Sequence, residues 1–189
     1  MTSVLLVIAG LVASPAKGDM AVDAISSASK NVSNKLCAHT TSEIAFTMKG
    51  ILENGGCKVD VISADSINTD IEKYDMVILG SGIYGMMPHG SIKQFILKNE
   101  NVLKSKKTAL YAVCGMICST SEKNRLSATK LVDKMQFGLS PISKTVFRGK
   151  INDTGTFFNW VGSQFFKTPP PGDYREWEKI KEWTKKLLS

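Results

Sequence analysis

The sequence predicts an α/β fold: a three-layer sandwich with a central parallel sheet and helices on both faces, in a single domain. Three observations predict it. Apolar runs of strand length alternate with helical stripes from Lys58 onward. The run Met76 to Leu79 has no polar alternation, as expected of a strand buried on both faces. Glycines stand directly after two such runs, at Gly80 and Gly115, where a strand gives way to a connection.

The elements follow in order. Val4 to Val12 is an apolar run interrupted by Gly10, too short to span a bilayer. It reads as a buried first strand; the alternative is the core of an export signal, although no Lys or Arg precedes it. Residues 14–38 are small and polar and look like an insertion or arm. The expected division is therefore 1–39, first strand or signal-like segment plus insertion, and 40–189, the folded domain. A first helix is expected to start at Thr40, Thr41 or Ser42 as cap, with Glu43 in its first turn. Its stripe is Ile44, Met48, Ile51 and Leu52, and Gly55-Gly56 ends it. Lys58 to Ile62 alternates as a strand. A helix after His89 carries Ile92, Phe95, Ile96 and Leu103 on one side, and Thr108 to Cys114 is the next strand. Residues 122–137 form a helix through Leu126, Leu131 and Met135, and Lys144 to Ile151 a strand. The last helix, Tyr174 to Leu188, turns Trp177, Ile180, Thr184 and Leu187-Leu188 inward and leaves Trp183 on its flank.

The net charge of +7 is unevenly spread. Residues 1–100 hold 8 basic and 10 acidic groups, a balance of −2; residues 101–189 hold 16 and 7, a balance of +9. Such asymmetry points to an anionic substrate or membrane surface, or to a solvated basic face. No nucleic-acid motif accompanies it. Cys37, Cys57, Cys114 and Cys118 lack zinc-type spacing and the redox C-x-x-C, so they read as ordinary buried thiols. With His39 and His89 they offer no convincing metal site. Asn31-Val-Ser33 and Asn152-Asp-Thr154 match the glycosylation pattern, which arises often by chance.

The stretch most suggestive of chemistry is Gly80-Ser-Gly-Ile-Tyr-Gly85. Glycines let a backbone come close to a ligand, and Tyr84 adds a large ring to a turn, which together suit a flat, polar-edged molecule. The spacing also matches the dinucleotide fingerprint G-x-G-x-x-G. That reading requires an acid about 20 residues on, at the end of the next strand, and Glu100 comes early within a helix end. A glycine-rich turn without a ligand is the third alternative. In parallel sheets the ligand sits beyond the carboxyl ends of the strands, here the loops near Gly80, Gly115 and Gly149.

Thr41 to Ala45, Tyr74 to Gly85, the helix with Phe95-Ile96, the strand and glycine at 108–115, and Trp177 carry a resemblance to the flavodoxin-like family over roughly residues 40–188. More narrowly, the chain resembles the branch containing the menaquinone-dependent protoporphyrinogen oxidase. The resemblance implies flavin mononucleotide. Its phosphate would lie on backbone N–H groups opening the first helix, with the Thr40, Thr41 and Ser42 hydroxyls; helix N-termini bind anions for independent physical reasons. Its ring would lie against Gly80, Ser81, Gly82, Ile83, Tyr84 and Gly85, and the loop from Cys114, Gly115 and Met116 to Ser119 would cover the other edge. Flavin does the electron chemistry, so no catalytic acid or base is required, and none is identified. His89 could donate a proton, but a histidine opening a helix is more often structural.

In one place the sequence departs from the family. The phosphate loop normally follows the first strand directly and has a central glycine; here the matching stretch is Lys35 to Thr41, with His39 in the glycine's place. A relative that has lost the flavin is thus the alternative. The segment from Phe157 to Lys167, followed by three prolines, is rich in aromatic residues and resembles a stretch of the quinone-linked branch. It suits a membrane interface or a greasy ligand, or simply covers a sheet edge. The expected function is electron transfer or a flavin-dependent oxidoreductase reaction with a quinone, porphyrinogen or redox-protein partner. The expected location is cytoplasmic, peripheral to an anionic membrane, or exported if residues 1–16 are a signal.

Overall fold

A computed structural model describes residues 2–9, 28–65, 70–84, 87–118, 122–151 and 169–188, with the backbone alone for 28–39, Tyr84, Met116, Asn124 and Arg125. The chain order is β1 (Ser3–Ile8), α1 (Ala28–Asn54), β2 (Lys58–Ser63), β3 (Met76–Tyr84), β4 (Met87–Pro88), α2 (Gly90–Lys98), α3 (Glu100–Ser105) and β5 (Lys107–Cys114). A 3-10 turn (Gly115–Cys118), α4 (Glu122–Asp133), β6 (Ser143–Arg148), β7 (Lys150–Ile151), β8 (Gly172–Asp173) and α5 (Trp177–Lys186) complete it. The main sheet runs β2-β1-β3-β5-β6, all parallel, with β4 added antiparallel to the end of β3.

The run from Val4 is an interior strand of this sheet, between β2 and β3. Val4 to Ile8 are buried, and they alternate between two cores. Leu5 and Val7 join Ile92, Phe95, Leu103, Leu131 and Met135 beneath α2, α3 and α4. Val4 and Leu6 join Ile44, Met48, Leu52, Ile180 and Trp183 beneath α1 and α5. Continuous hydrophobicity follows from burial on both sides. Ser3 anchors the start of β1: its N–H and hydroxyl both donate to the Asp75 carboxylate at the start of β3, at 2.7 and 2.8 Å.

Four expectations need correction. Helix α1 opens at Ala28, so a boundary at residue 40 falls inside a helix; the part of the expected arm from 14 to 27 lies outside the described residues. Leu126 is 60% exposed, because the buried stripe of α4 is Ala128, Leu131 and Val132, and a residue five positions before Leu131 points elsewhere. Trp183 is buried and Leu188 is 40% exposed: Ile180, Trp183, Thr184 and Leu187 keep i, i+3, i+4, i+7 spacing, which Leu188 breaks. The last strand bends at Gly149, so Lys150–Ile151 leaves the sheet and pairs with β8 instead.

Helix α1 ends as its glycines require. The Cys57 N–H donates to the Leu52 carbonyl at 3.0 Å and the Gly56 N–H to that of Glu53 at 2.9 Å, with Gly56 at φ +85°. This is the double reverse bond of a Schellman ending, which places a left-handed residue where glycine alone escapes a Cβ penalty.

Gly80 lies opposite Tyr111 across β3 and β5, and a Cβ there would stand 2.2–2.4 Å from the phenol ring. Tyr111 is fully buried and cannot swing aside. Gly80→Ala should therefore cost about 1–3 kcal/mol of unfolding free energy in urea titration. The penalty should shrink in a Tyr111→Leu background, where the clash is gone; equal penalties in both backgrounds would place the strain elsewhere. A second expectation concerns acid. Backbone and side-chain hydrogen bonds from Ser3 hold Asp75 below its ordinary 3.8, and bonds from Lys144 and Arg175 do the same for Asp133 and Asp173. Folded values below unfolded ones mean that this stability is present above about pH 4 and lost as pH falls through the lowered values. Asp75→Asn should flatten the acid limb of a stability–pH curve.

Candidate functional site

In an open α/β sheet the crevice forms where neighbouring strands send their connections to opposite sides. Here that point lies between β1, whose other neighbour is β2, and β3, whose other neighbour is β5. The predicted site residues of β3 and β5 meet at this carboxyl edge: Gly80, Ser81 and Gly82 pair with Tyr111, Ala112 and Val113, one residue before Cys114.

Their local form differs from expectation. Residues 80–84 are not an open loop. They continue β3 and fold back through a hairpin, with Ile83 opposite Pro88 and Tyr84 opposite Met87. The glycine at 80 serves the Tyr111 ring rather than a ligand. The fully buried Ser81 locks the hairpin: its hydroxyl donates to the Gly82 carbonyl at 2.9 Å and accepts from the His89 N–H at 3.0 Å. Gly82 is buried and Ile83 packs against the α2–α4 core. The Tyr84 side chain and Gly85 lie outside the described residues. His89 caps α2, its Nδ1 accepting from the Ser91 N–H at 3.3 Å, which is a structural role.

Thr40, Thr41 and Ser42 do not open a helix. They stand about three turns inside α1, where each N–H is used by the helix itself. Thr40 and Thr41 are buried, and the Thr41 carbonyl accepts the Tyr111 hydroxyl at 3.3 Å. The expected cradle of free N–H groups at 40–42 is thus replaced by a packing contact onto β5. Sequence alone suggested a cap because the stripe sharpens there; the preceding turns, Ala28 to His39, are polar and lack that stripe.

Cys114 ends β5 buried, and Gly115 and Met116 form the start of the 3-10 turn rather than a loose loop. That turn returns Cys118, whose thiol donates to the Gly149 carbonyl at 3.8 Å and so ties the exit of β5 to that of β6. No His, Cys, Asp and Glu cluster fit for a metal exists among the described residues.

One contact at this end had no sequence signal. The Arg175 guanidinium donates through Nε to Asp173 at 2.8 Å and through Nη1 to Glu43 on α1, and stacks on the Trp177 ring at 4.5 Å. Its side chain is 11% exposed, and Asp173 holds its pKa above the ordinary value. Arg175 thereby pins the β7–β8 ladder, through which residues 152–168 leave and return, to the middle of α1. Partners 132 residues apart leave no local pattern to read. The aromatic stretch itself lies outside the described residues.

Burial pushes the Cys118 thiol up to about 11, so at pH 8 almost none of it is thiolate. Iodoacetamide should leave Cys118 unlabelled in the folded protein at that pH, with labelling emerging only as pH approaches 10–11 on the order of the shifted value. Rapid labelling at pH 8, read by peptide mass spectrometry, would contradict this environment.

Solved structures with the same architecture cover nearly the whole chain. Oxidised flavodoxin 1 from Bacillus cereus matches 99% of this chain and 97% of its own, at a TM-score of 0.54 and 16% identity. The flavodoxin of Streptococcus pneumoniae TIGR4 matches 98% and 97% at 0.55 and 14% identity, and flavodoxin 2 from Bacillus cereus 97% and 96% at 0.53 and 15%. At these identities the likeness is one of fold. No curated protein matches the chain in sequence. The family model for the flavodoxin domain matches residues 40–159, which is more than half the chain. By that match the chain belongs to the flavodoxin domain family.

Proposed function

We propose that this chain binds a flavin at the carboxyl edge of its sheet and works in electron transfer. The observation that carries the reading is the strand order β2-β1-β3-β5-β6, with the switch beside the glycine-bearing end of β3. Flavodoxin with its flavin mononucleotide is the reference case for a ligand at that switch. The β3–β4 hairpin from Gly82 to Met87 and the β5 exit at Cys114–Met116 are the elements offered to the ring. When bound, flavin mononucleotide supplies the electron chemistry; the chain orients it and tunes it through backbone and side-chain contacts. Ser81 contributes by holding the hairpin closed onto α2.

The phosphate half fits less well. The N–H groups at 40–42 are inside a helix, so they do not offer the anion the anchor of a free helix start. That observation favours the second reading, a flavodoxin-fold binding protein that has lost the flavin. One titration separates the two. If the ring dominates, flavin mononucleotide and riboflavin should bind within about threefold of each other, and Tyr84→Ala should weaken both about tenfold, the scale of one lost aromatic contact. Purified protein that stays colourless after either flavin is added supports the second reading. A hundredfold preference for the phosphorylated form would mean that the anion is held after all.

A quinone or porphyrinogen as acceptor is the narrower version. Its support is the aromatic, cation-flanked stretch from Phe157 to Lys167 and the basic carboxyl-terminal half. Peripheral attachment to anionic lipid would follow from the same stretch. No helix among the described residues is long and apolar enough to cross a membrane. Turnover of a soluble quinone by the flavin-loaded protein, lost on removing the ring of Trp160, tests the narrower version.

A further inference from the structure

We propose that the outer face of α4, together with the β3–β4 hairpin, is the docking surface for an acidic electron-transfer protein. This rests on the flavin reading above and names the kind of partner that site would serve. Helix α4 buries Ala128, Leu131 and Val132, so its other face looks outward. Leu126, Lys130 and Lys134 follow one another along that face at four-residue steps, with Lys123 just before Leu126.

Two exposed apolar side chains belong to this ridge. Leu126 is 60% exposed and Met87, on β4 of the hairpin, 54%. The Lys134 ammonium lies 3.8 Å from the Met87 sulfur and so joins the two elements into one surface. The charge on the ridge is positive. Lys123 and Lys130 make no ion pair among the described residues. Asp133 is taken up by Lys144 at 2.6 Å and by Gln136 at 3.1 Å, leaving Glu122 as the remaining acid of α4. Two lysines of α5 differ: Lys181 meets Glu178 at 2.7 Å and Lys179 meets Glu176 at 3.8 Å.

Position gives the surface its purpose. Met87 pairs with Tyr84, so a partner seated on Met87 is about one strand spacing, roughly 5 Å, from the edge offered to the flavin. A small apolar centre ringed by one sign of charge suits a brief encounter: charge speeds and orients approach, and the limited apolar area permits release. The occupant must carry the opposite charge near its own redox centre, which means an acidic carrier.

The test uses the full chain and two purified probes, an acidic [2Fe–2S] ferredoxin and a basic cytochrome c, with binding followed by isothermal calorimetry. Ferredoxin should bind, and its Kd should rise about tenfold or more as salt is raised from about 20 mM to 200 mM, because rim charges are screened over this range. A K123E/K130E/K134E variant should weaken ferredoxin binding by a further tenfold or more, whereas K179E/K181E should leave it unchanged. Circular dichroism checks that each variant is folded. Wild type that does not bind ferredoxin, a charge-reversed ridge that binds it equally well, or tighter association with cytochrome c or anionic vesicles would overturn the proposal. Flavin titration of the same variants keeps the two readings apart. Intact flavin binding with no ferredoxin binding rejects the docking surface alone; loss of flavin binding in wild type rejects the reading beneath it.

Discussion

The contact between the Tyr111 ring and the bare backbone of Gly80 sets the geometry on which the carboxyl edge of the sheet depends. The pair sits across β3 and β5 in register, and the ring occupies the space that any other residue at 80 would need. From there the phenol reaches in three directions. Its hydroxyl donates to the Thr41 carbonyl on α1, and its ring meets Phe147 of β6 at 6.0 Å and Trp183 of α5 at 6.3 Å. The indole N–H of Trp183 then donates to the Ser143 hydroxyl at the start of β6 at 2.9 Å. One fully buried side chain thus relates two strands and two helices, and burial holds its phenol neutral. Close-packed interiors transmit such constraints because there is little free volume to absorb a shift.

This packing also explains why α1 passes over the sheet where it does. Thr40 and Thr41 are small enough to lie against β5 and the bend at Gly149, and that places their hydroxyls inside the structure. A position that serves packing cannot also present free N–H groups to an anion. The fold does not depend on the free N–H groups expected at 40–42: it rests on strand order and two cores.

Charge is divided between the two ends of the second half of the chain. Around Arg175, acids are matched closely: Asp173, Glu43 and the Trp177 face leave the guanidinium mostly covered. Along α4, Lys123 and Lys130 make no ion pair among the described residues, and Leu126 and Met87 beside them are exposed. The first arrangement stabilises a junction, since a bidentate guanidinium holds a fixed geometry. The second contributes little to folding and acts at a distance instead. An uneven net charge read along the sequence acquires two different meanings once each lysine is placed.

By itself, the sequence determined the layered α/β class, the strand identity of Met76–Leu79 and Thr108–Cys114, and the helix ending at Gly55-Gly56. Each of these follows from local periodicity and from backbone freedom at glycine. It also grouped Gly80–Tyr84 with Cys114–Met116, because both follow buried strands whose carboxyl ends must share one edge. Only the tertiary structure decided that β3 runs on to Tyr84 as a hairpin, that Gly80 makes room for a ring from β5, and that α1 passes uninterrupted through Thr40–Ser42. It alone decided that Trp183 is core, Leu126 surface, and Arg175 the partner of Glu43. The reason is common to all of these. Periodicity reports which side of an element is apolar, while the neighbour that fills the space comes from a distant part of the chain and leaves no mark at the position it constrains.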